Sequence, residues 1–436
     1  MTKATFGSRQ GWRVALQPGR AVATPAVAHG LVLVGGGFGS HDFYAFDARS
    51  GDLAWHLKTK DDGPTAAVAW DGHVVFNTES CTLMVTDIAR GRVVAERWLG
   101  DPLLAQPAVA HGRVFMVFPD RGAHWLGAFT LPALEPLWKT RVSHDVISAP
   151  VCAEGSVWLS TFDGAVWCVD EGSGAIKWTR PLGATSAPWV AGGSVYVAHR
   201  ADRYAHHGAG AGVSPHDGSV PSNPVERTAR FQSENGDLAS AWNPKAAPYL
   251  EERWGEARKS RSAQEDASVG FGHAPASAKL HMSADLVGER TVSGTWRFQG
   301  SRPVTAGGLL FDSSGDRLEA HDLGSNALVW SWDGDRSVDG ERRLTPPAVA
   351  NGRVWAGTWA GSVRSWDAAS GARRWEVPVG APCHWQPVVA DGWVYAGLED
   401  GSLVGFRTDD PADDGWPMWG GGPGHNGLDA PAATAG

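Results

Sequence analysis

A chain of 436 residues, 42% hydrophobic and 19% charged, can bury a large core, and its net charge of -9 argues against a nucleic-acid partner. Four cysteines in this length do not make a disulfide framework, and no apolar run approaches the roughly 18 residues of a membrane span. The opening MTKATFGSRQGWRV has no apolar signal core, so the chain as written is expected in the cytoplasm, or in the periplasm if the true start lies upstream.

In chain order, the first short apolar strand is GWRVAL, Gly11 to Leu16, with Trp12 inside it. A residue-Gly turn between two short apolar strands follows and recurs, at Gly30, Gly72, Gly112, Gly155, Gly193, Gly308, Gly352 and Gly392. The steps are 42, 40, 43, 38, 115, 44 and 40 residues, which marks eight units. A period near ~40 residues built of short strands predicts a β-propeller in which each unit is a four-stranded antiparallel blade. Each unit closes on a second mark. FDARSGDLAW, Phe46 to Trp55, reads as strand, tight Ser-Gly turn and strand, and VDEGSGAIKW, HDLGSNALVW and WDAASGARRW repeat it, ending at Trp178, Trp330 and Trp375. Looser copies end at Trp98, Trp138 and Trp296. In unit four the strands are expected at Ala149 to Ala153 (A, innermost), Ser156 to Ser160 (B), Ala165 to Val169 (C) and Ala175 to Thr179 (D).

The 115-residue step carries a surplus of ~75 residues over the ~41 of a normal unit, placed between Arg200 and Ala284. Its first half, His206 to Pro224, is rich in Gly, Ser and Pro and reads as loop; its second half holds one amphipathic helix, with Leu250, Trp254 and Ala257 at i, i+4 and i+7 behind Asn243-Pro244. The Arg258, Lys259 and Arg261 cluster on it reads as a solvated face. The last unit offers strands A to C between Gln386 and Phe406, and Trp12 stands at the spacing of its missing outer strand, with Trp416 as competitor. The expectation is therefore one all-β, eight-bladed propeller over residues 1–436, closed by the N-terminal strand, with a partly helical insertion at 200–284 in the fifth blade on the face of the B–C and D–A loops.

The Asp-x-x-Ser-Gly-x-x-x-Trp units, preceded by Pro-Ala-Val-Ala-x-Gly strands, resemble the pyrroloquinoline-quinone-type propeller repeat across nearly the whole chain. The tail Trp416 to Gly427, WPMWGGGPGHNG, resembles a segment common in such proteins. The superfamily contains quinoprotein alcohol dehydrogenases and the lipoprotein propellers of the outer-membrane barrel-assembly machinery, so the resemblance implies fold and leaves chemistry open. Its dehydrogenases carry adjacent cysteines beside the quinone and a calcium ion. Cys81, Cys152, Cys168 and Cys383 include no adjacent pair, Cys152 and Cys168 fall on strands A and C about 10 Å apart, and no calcium ligand set can be matched. Neither pyrroloquinoline quinone nor another cofactor is expected.

The tryptophans at the unit ends, Trp12, Trp55, Trp98, Trp138, Trp178, Trp296, Trp330 and Trp375, are expected to dock each blade on the next rather than to bind a ligand. Polar candidates lie on the other loops. His144, Asp145, Arg302 and His384 sit in D–A connections, with Glu341, Arg342 and Cys383 nearby, and form a candidate ligand-binding rim around the central funnel. His206, His207, His216 and Asp217 in the insertion could ligate a metal by residue type, but their spacing matches no zinc motif and no metal site is expected. The reading is a non-catalytic binding or protein-interaction scaffold, monomeric, with a protein or small-molecule ligand. A quinone-dependent oxidoreductase is the alternative, and a hydrolase or lyase using the insertion as a lid is the third.

Overall fold

A computed structural model describes residues 2–415 except 17–21, 201–225, 334–343, most of 233–302 and a few loop positions among 38–39, 62, 65, 79–81, 101–104, 183, 185, 192 and 315–316. Residues 416–436 also lie outside the described residues, and with them the competitor strand at Trp416. Every described element is a strand; the short pair Lys279–Leu280 and Arg290–Thr291 forms a two-stranded sheet of its own, and the other strands form antiparallel blades, all but the last of them paired in chain order. Seven blades, not eight, are complete. Units one to four, six and seven each form a four-stranded sheet, and unit eight forms a five-stranded one. Unit five has only three described strands, Trp189–Ala191, Ser194–Arg200 and Glu226–Gln232. The residues between Arg200 and Glu226, and those directly after Gln232, lie outside the described residues. Its third strand, RTARF flanked by Glu226 and Gln232, was concealed inside the segment read as insertion. The expected helix at Leu250 to Ala257 lies outside the described residues.

The innermost strands are three-residue segments such as Ala26–Ala28, Ala108–Ala110 and Val388–Ala390, almost wholly buried. The residue-Gly turn that follows each one has a physical reason: His29 and Gly30 both have positive φ, 52° and 70°, the geometry whose twist matches a two-residue hairpin. The last blade is built from both ends of the chain. Gly11–Ala15 pairs with Ser402–Phe406, and Thr2–Phe6 adds a fifth, outer strand.

The Asp-x-x-Ser-Gly turn joins strands C and D and is also the socket for the neighbouring blade. Its aspartate closes the turn by accepting backbone N–H groups: Asp47 Oδ1 from Ser50 at 2.7 Å, Asp170 Oδ1 from Ser173 at 2.9 Å, Asp367 Oδ1 from Ser370 at 2.9 Å. Its glycine, φ +74° in Gly51, lies flat under the indole of the preceding blade, where a Cβ would come within 2.6 Å of Trp12. The indole N–H then donates to the turn carbonyl, Trp12 Nε1 to Ala48 O at 3.1 Å. Trp55 does the same over Gly91 to Ile88 O at 2.8 Å, Trp138 over Gly174 to Glu171 O at 3.2 Å, and Trp330 over Gly371 to Ala368 O at 2.9 Å. Tyr395 OH donates to the same Ala48 carbonyl at 3.1 Å, so the closing blade grips unit one twice.

Two of the described junctions depart from this rule. Trp98 does not dock. The strand register sets Trp55 opposite Ala45 and Trp138 opposite Ala128, and in unit two the same place, opposite Val85, is held by Ala95. The turn it meets in unit three has Leu134, φ 57°, where the turns under Trp12, Trp55, Trp138 and Trp330 have glycine, and that leucine is buried in the core cluster against which Ala95 packs. Small and large residues have changed places across the junction. Trp375, in unit seven, is only half buried, with the Arg9 guanidinium 4.3 Å from its ring centre. Arg353 holds the last turn instead, through Asp413 at 2.5 Å and Asp410 at 3.0 Å.

The turn aspartates are expected to make the ring acid-sensitive. Hydrogen bonds from Ser50 hold Asp47 below the usual carboxylate range, those from Ser173 do so for Asp170 and those from Ser325 for Asp322. The Arg374 side chain, with Ser370, brings Asp367 to about 2. A carboxyl depressed in the folded state stabilises it above the unfolded value of about 3.9 and loses that contribution as pH falls through the folded value. Thermal unfolding followed by circular dichroism should therefore have a level midpoint above pH ~5 and a falling one from pH ~4 towards ~2. Asp367→Asn should shallow that fall; an unchanged profile would refute the assignment.

Candidate functional site

His144 and Asp145 lie in the connection from unit three to unit four. The His144 ring stacks on that of His124, centroids 5.3 Å apart and 12° from parallel, and meets the Phe162 edge at 6.2 Å. His144 Nδ1 accepts the Asp145 N–H at 2.9 Å, and Asp145 Oδ1 accepts that of Val146 at 2.8 Å, so both side chains are engaged in shaping the loop. Burial is the main cause that holds His124 below the ordinary histidine range, with Asp145 and Asp163 pulling upward against it and His144 adding to the depression.

His384 lies in the connection from unit seven to unit eight, four units along the chain from the His144 pair. It is 3% exposed, edge-on to Trp359 at 4.4 Å and to Trp385 at 5.9 Å, with Nε2 3.1 Å from Glu399 Oε2. Cys383 beside it is wholly buried, and burial pushes its thiol up to about 12, which makes it inert as a nucleophile at neutral pH. The structure thus separates the candidate rim into two aromatic-histidine clusters. Arg302, Glu341 and Arg342 lie outside the described residues, as do His206, His207, His216 and Asp217.

A feature that residue types alone did not single out lies on the outer flank. A groove of about 590 Å³ runs between unit two and unit three, lined by Arg97, Trp98 and Leu99 on one side and by Phe118, Arg121, Leu137 and Lys139 among others on the opposite side. Trp98 is 72% exposed, the most exposed large apolar side chain among the described residues. The opposite wall is raised because strands B and C of unit three run eight residues each, Arg113–Asp120 and Ala123–Thr130, against five and six in units two and four. Lys139 Nζ bonds Asp120 Oδ2 at 2.7 Å and lies 4.5 Å over the Trp125 ring. A spacing signal was present. Trp55, Trp178 and Trp375 stand four residues after their turn glycines, whereas Trp98 stands seven after Gly91, and residue 95 is alanine.

Among the described residues no group of three or more His, Cys, Asp or Glu side chains is placed to hold a metal ion. Cys152, Cys168 and Cys383 are buried thiols outside any disulfide, and Cys81 lies outside the described residues. No helix among the described residues is long and apolar enough to cross a membrane.

The sequence profile described as outer membrane protein assembly factor BamB matches residues 5–117, 131–241 and 295–419. The BamB of Yersinia pestis is 26% identical over 201 residues, 40% of this chain and 50% of that protein; that of Salmonella typhimurium is 27% identical over 219 residues, 45% and 53%. The chain therefore spans about half the length of the curated relatives it matches. Among solved structures, BamB from Moraxella catarrhalis superposes with a TM-score of 0.55 at 14% identity, covering 93% of this chain and 97% of that one. The quinohemoprotein alcohol dehydrogenase from Comamonas testosteroni gives 0.54 at 13% identity, covering 91% and 76%. At such identities these likenesses show the propeller fold alone.

Proposed function

Because the chain belongs to the family of the outer membrane protein assembly factor BamB, within the quinoprotein-like propellers, we propose that it is a non-catalytic protein-interaction scaffold serving outer membrane protein assembly. The observation that carries this reading is the family match itself, which runs through three stretches from the N-terminal hairpin to the closing blade. The surface agrees with it: every exposed large apolar side chain among the described residues, from Leu53 to Val329, lies on an outermost strand of the ring, where a partner can reach it. On this reading the protein works in the cell envelope, on the periplasmic side, needs no quinone or metal, and takes protein rather than small-molecule partners.

The test is cross-linking in the envelope of the native host, with a photoreactive residue introduced at Leu53 or Ile176 and the adducts identified by mass spectrometry. Adducts with outer-membrane assembly proteins are expected, and the protein should fractionate with the envelope. Recovery in the cytosolic fraction with no such adduct would overturn the reading. So would dye-linked alcohol oxidation after addition of pyrroloquinoline quinone and calcium.

A further inference from the structure

We propose that the flank groove between units two and three is a docking site for an acidic, apolar-rich segment of a partner protein. The proposal rests on the scaffold reading and names the surface and the chemistry of its partner. Three observations carry it.

Trp98 occupies a position that the fold does not require. The docking place in its strand is filled by Ala95, and the interior space by Leu134, so the indole at residue 98 is left to solvent at 72% exposure. A tryptophan beside arginines at the centre of a concave patch is the composition of an interface hot spot.

The walls supply shape. The lengthened hairpin of unit three lifts Phe118 and Arg121 beside Trp98, and Leu137, exposed on its own outer strand, continues the apolar floor. A volume of about 590 Å³ accommodates several side chains of an extended segment.

Charge selects the occupant. Among the described residues the lining holds Arg97, Arg121 and Lys139 against the single carboxylate of Asp120, on a chain whose net charge is -9. Arg97 is turned to the wall, Nη1 donating to Leu134 O at 3.2 Å, and Lys139 is shared with Asp120. The Arg121 side chain, 94% exposed, stands 3.9 Å from Asp120 and remains open on its solvent side. A local excess of positive charge in an acidic protein favours a carboxylate-bearing partner and disfavours a basic one. The carboxylates would lie along Arg121 and Lys139, and the apolar side chains between them on Trp98 and Leu137.

The test uses the full chain and two dye-labelled synthetic peptides, Asp-Leu-Asp-Phe-Asp-Leu and Lys-Leu-Lys-Phe-Lys-Leu, with binding read by fluorescence anisotropy at low salt. The acidic peptide should bind at least about tenfold more tightly than the basic one, and its affinity should fall as salt rises. Trp98→Ser and Arg121→Glu, both at exposed positions, should each weaken it by about tenfold or more with an unchanged melting curve. Equal affinity for the two peptides, or full affinity in both variants, overturns the proposal. A dimer in sedimentation that Trp98→Ser abolishes would assign the groove to a second copy of the chain and overturn it as well. Failure here with envelope cross-links retained at Leu53 or Ile176 would sink the groove and leave the scaffold reading standing.

Discussion

Removal of residues 1–15 is expected to unfasten the ring. The deletion takes away both strands contributed by the N-terminus, leaves the Ser402–Arg407 strand as a bare edge, and strips Trp12 from the Gly51 socket. Trp12 is 1% exposed and sits among Val27, Phe46, Tyr395 and Phe406, so Trp12→Ala alone should cost about 3–5 kcal/mol, a large part of the 5–15 kcal/mol typical of a folded domain. Urea unfolding followed by circular dichroism should show a much lower midpoint for Trp12→Ala, and the deletion should aggregate. A deletion variant that stays monomeric and unfolds at the parent midpoint would contradict this account of closure.

The second large effect lies at the irregular junction between units two and three. Leu134→Gly should empty the buried volume that the leucine fills in the cluster against which Ala95 packs, at a cost of about 2–5 kcal/mol by analogy with large-to-small core changes, reduced by relief of its positive φ. Ala95→Trp alone should also destabilise, because the indole and Leu134 claim the same volume. Together, Ala95→Trp with Leu134→Gly recreates the pair found at Trp55 and Gly91 and should recover most of the loss. The coupling between the two sites, read from a double-mutant cycle in urea, is thus expected to be strongly favourable. Additive losses would show that the exchange of sizes is incidental.

These two junctions also show what could be read from residues alone. The Asp-x-x-Ser-Gly turn and its tryptophan announce themselves because the reasons are local: a carboxylate within reach of backbone N–H groups, a glycine at positive φ, and an indole at fixed spacing. The chain closure at Trp12 was legible for the same reason, since Trp12 precedes Pro25 by 13 residues, close to the 12 between Trp375 and Pro387. Trp98 misled because identity was weighed above register, and register depends on the partner strand. The count of complete blades went astray in unit five, where 25 residues separate the second strand from the third and local spacing no longer reports pairing. His144 and His384 look alike in sequence, each in a D–A connection, yet only the ring's circumference decides that they stand apart. The flank groove depends on the extra length of a hairpin and an alanine at residue 95, neither of which carries chemistry by itself.

The tryptophan on one blade and the glycine turn on the next form a key and a lock of standard cut. Units carrying this pair are interchangeable in principle: a whole unit could be duplicated, lost or transplanted during descent, and each new neighbour would find a matching fitting. The Ala95 and Leu134 junction is cut differently. A foreign blade inserted there would present an indole to a leucine, or an alanine to a bare glycine, and fit neither way. Units two and three are therefore matched to each other rather than to the common fitting, and the groove that lies between them depends on that match.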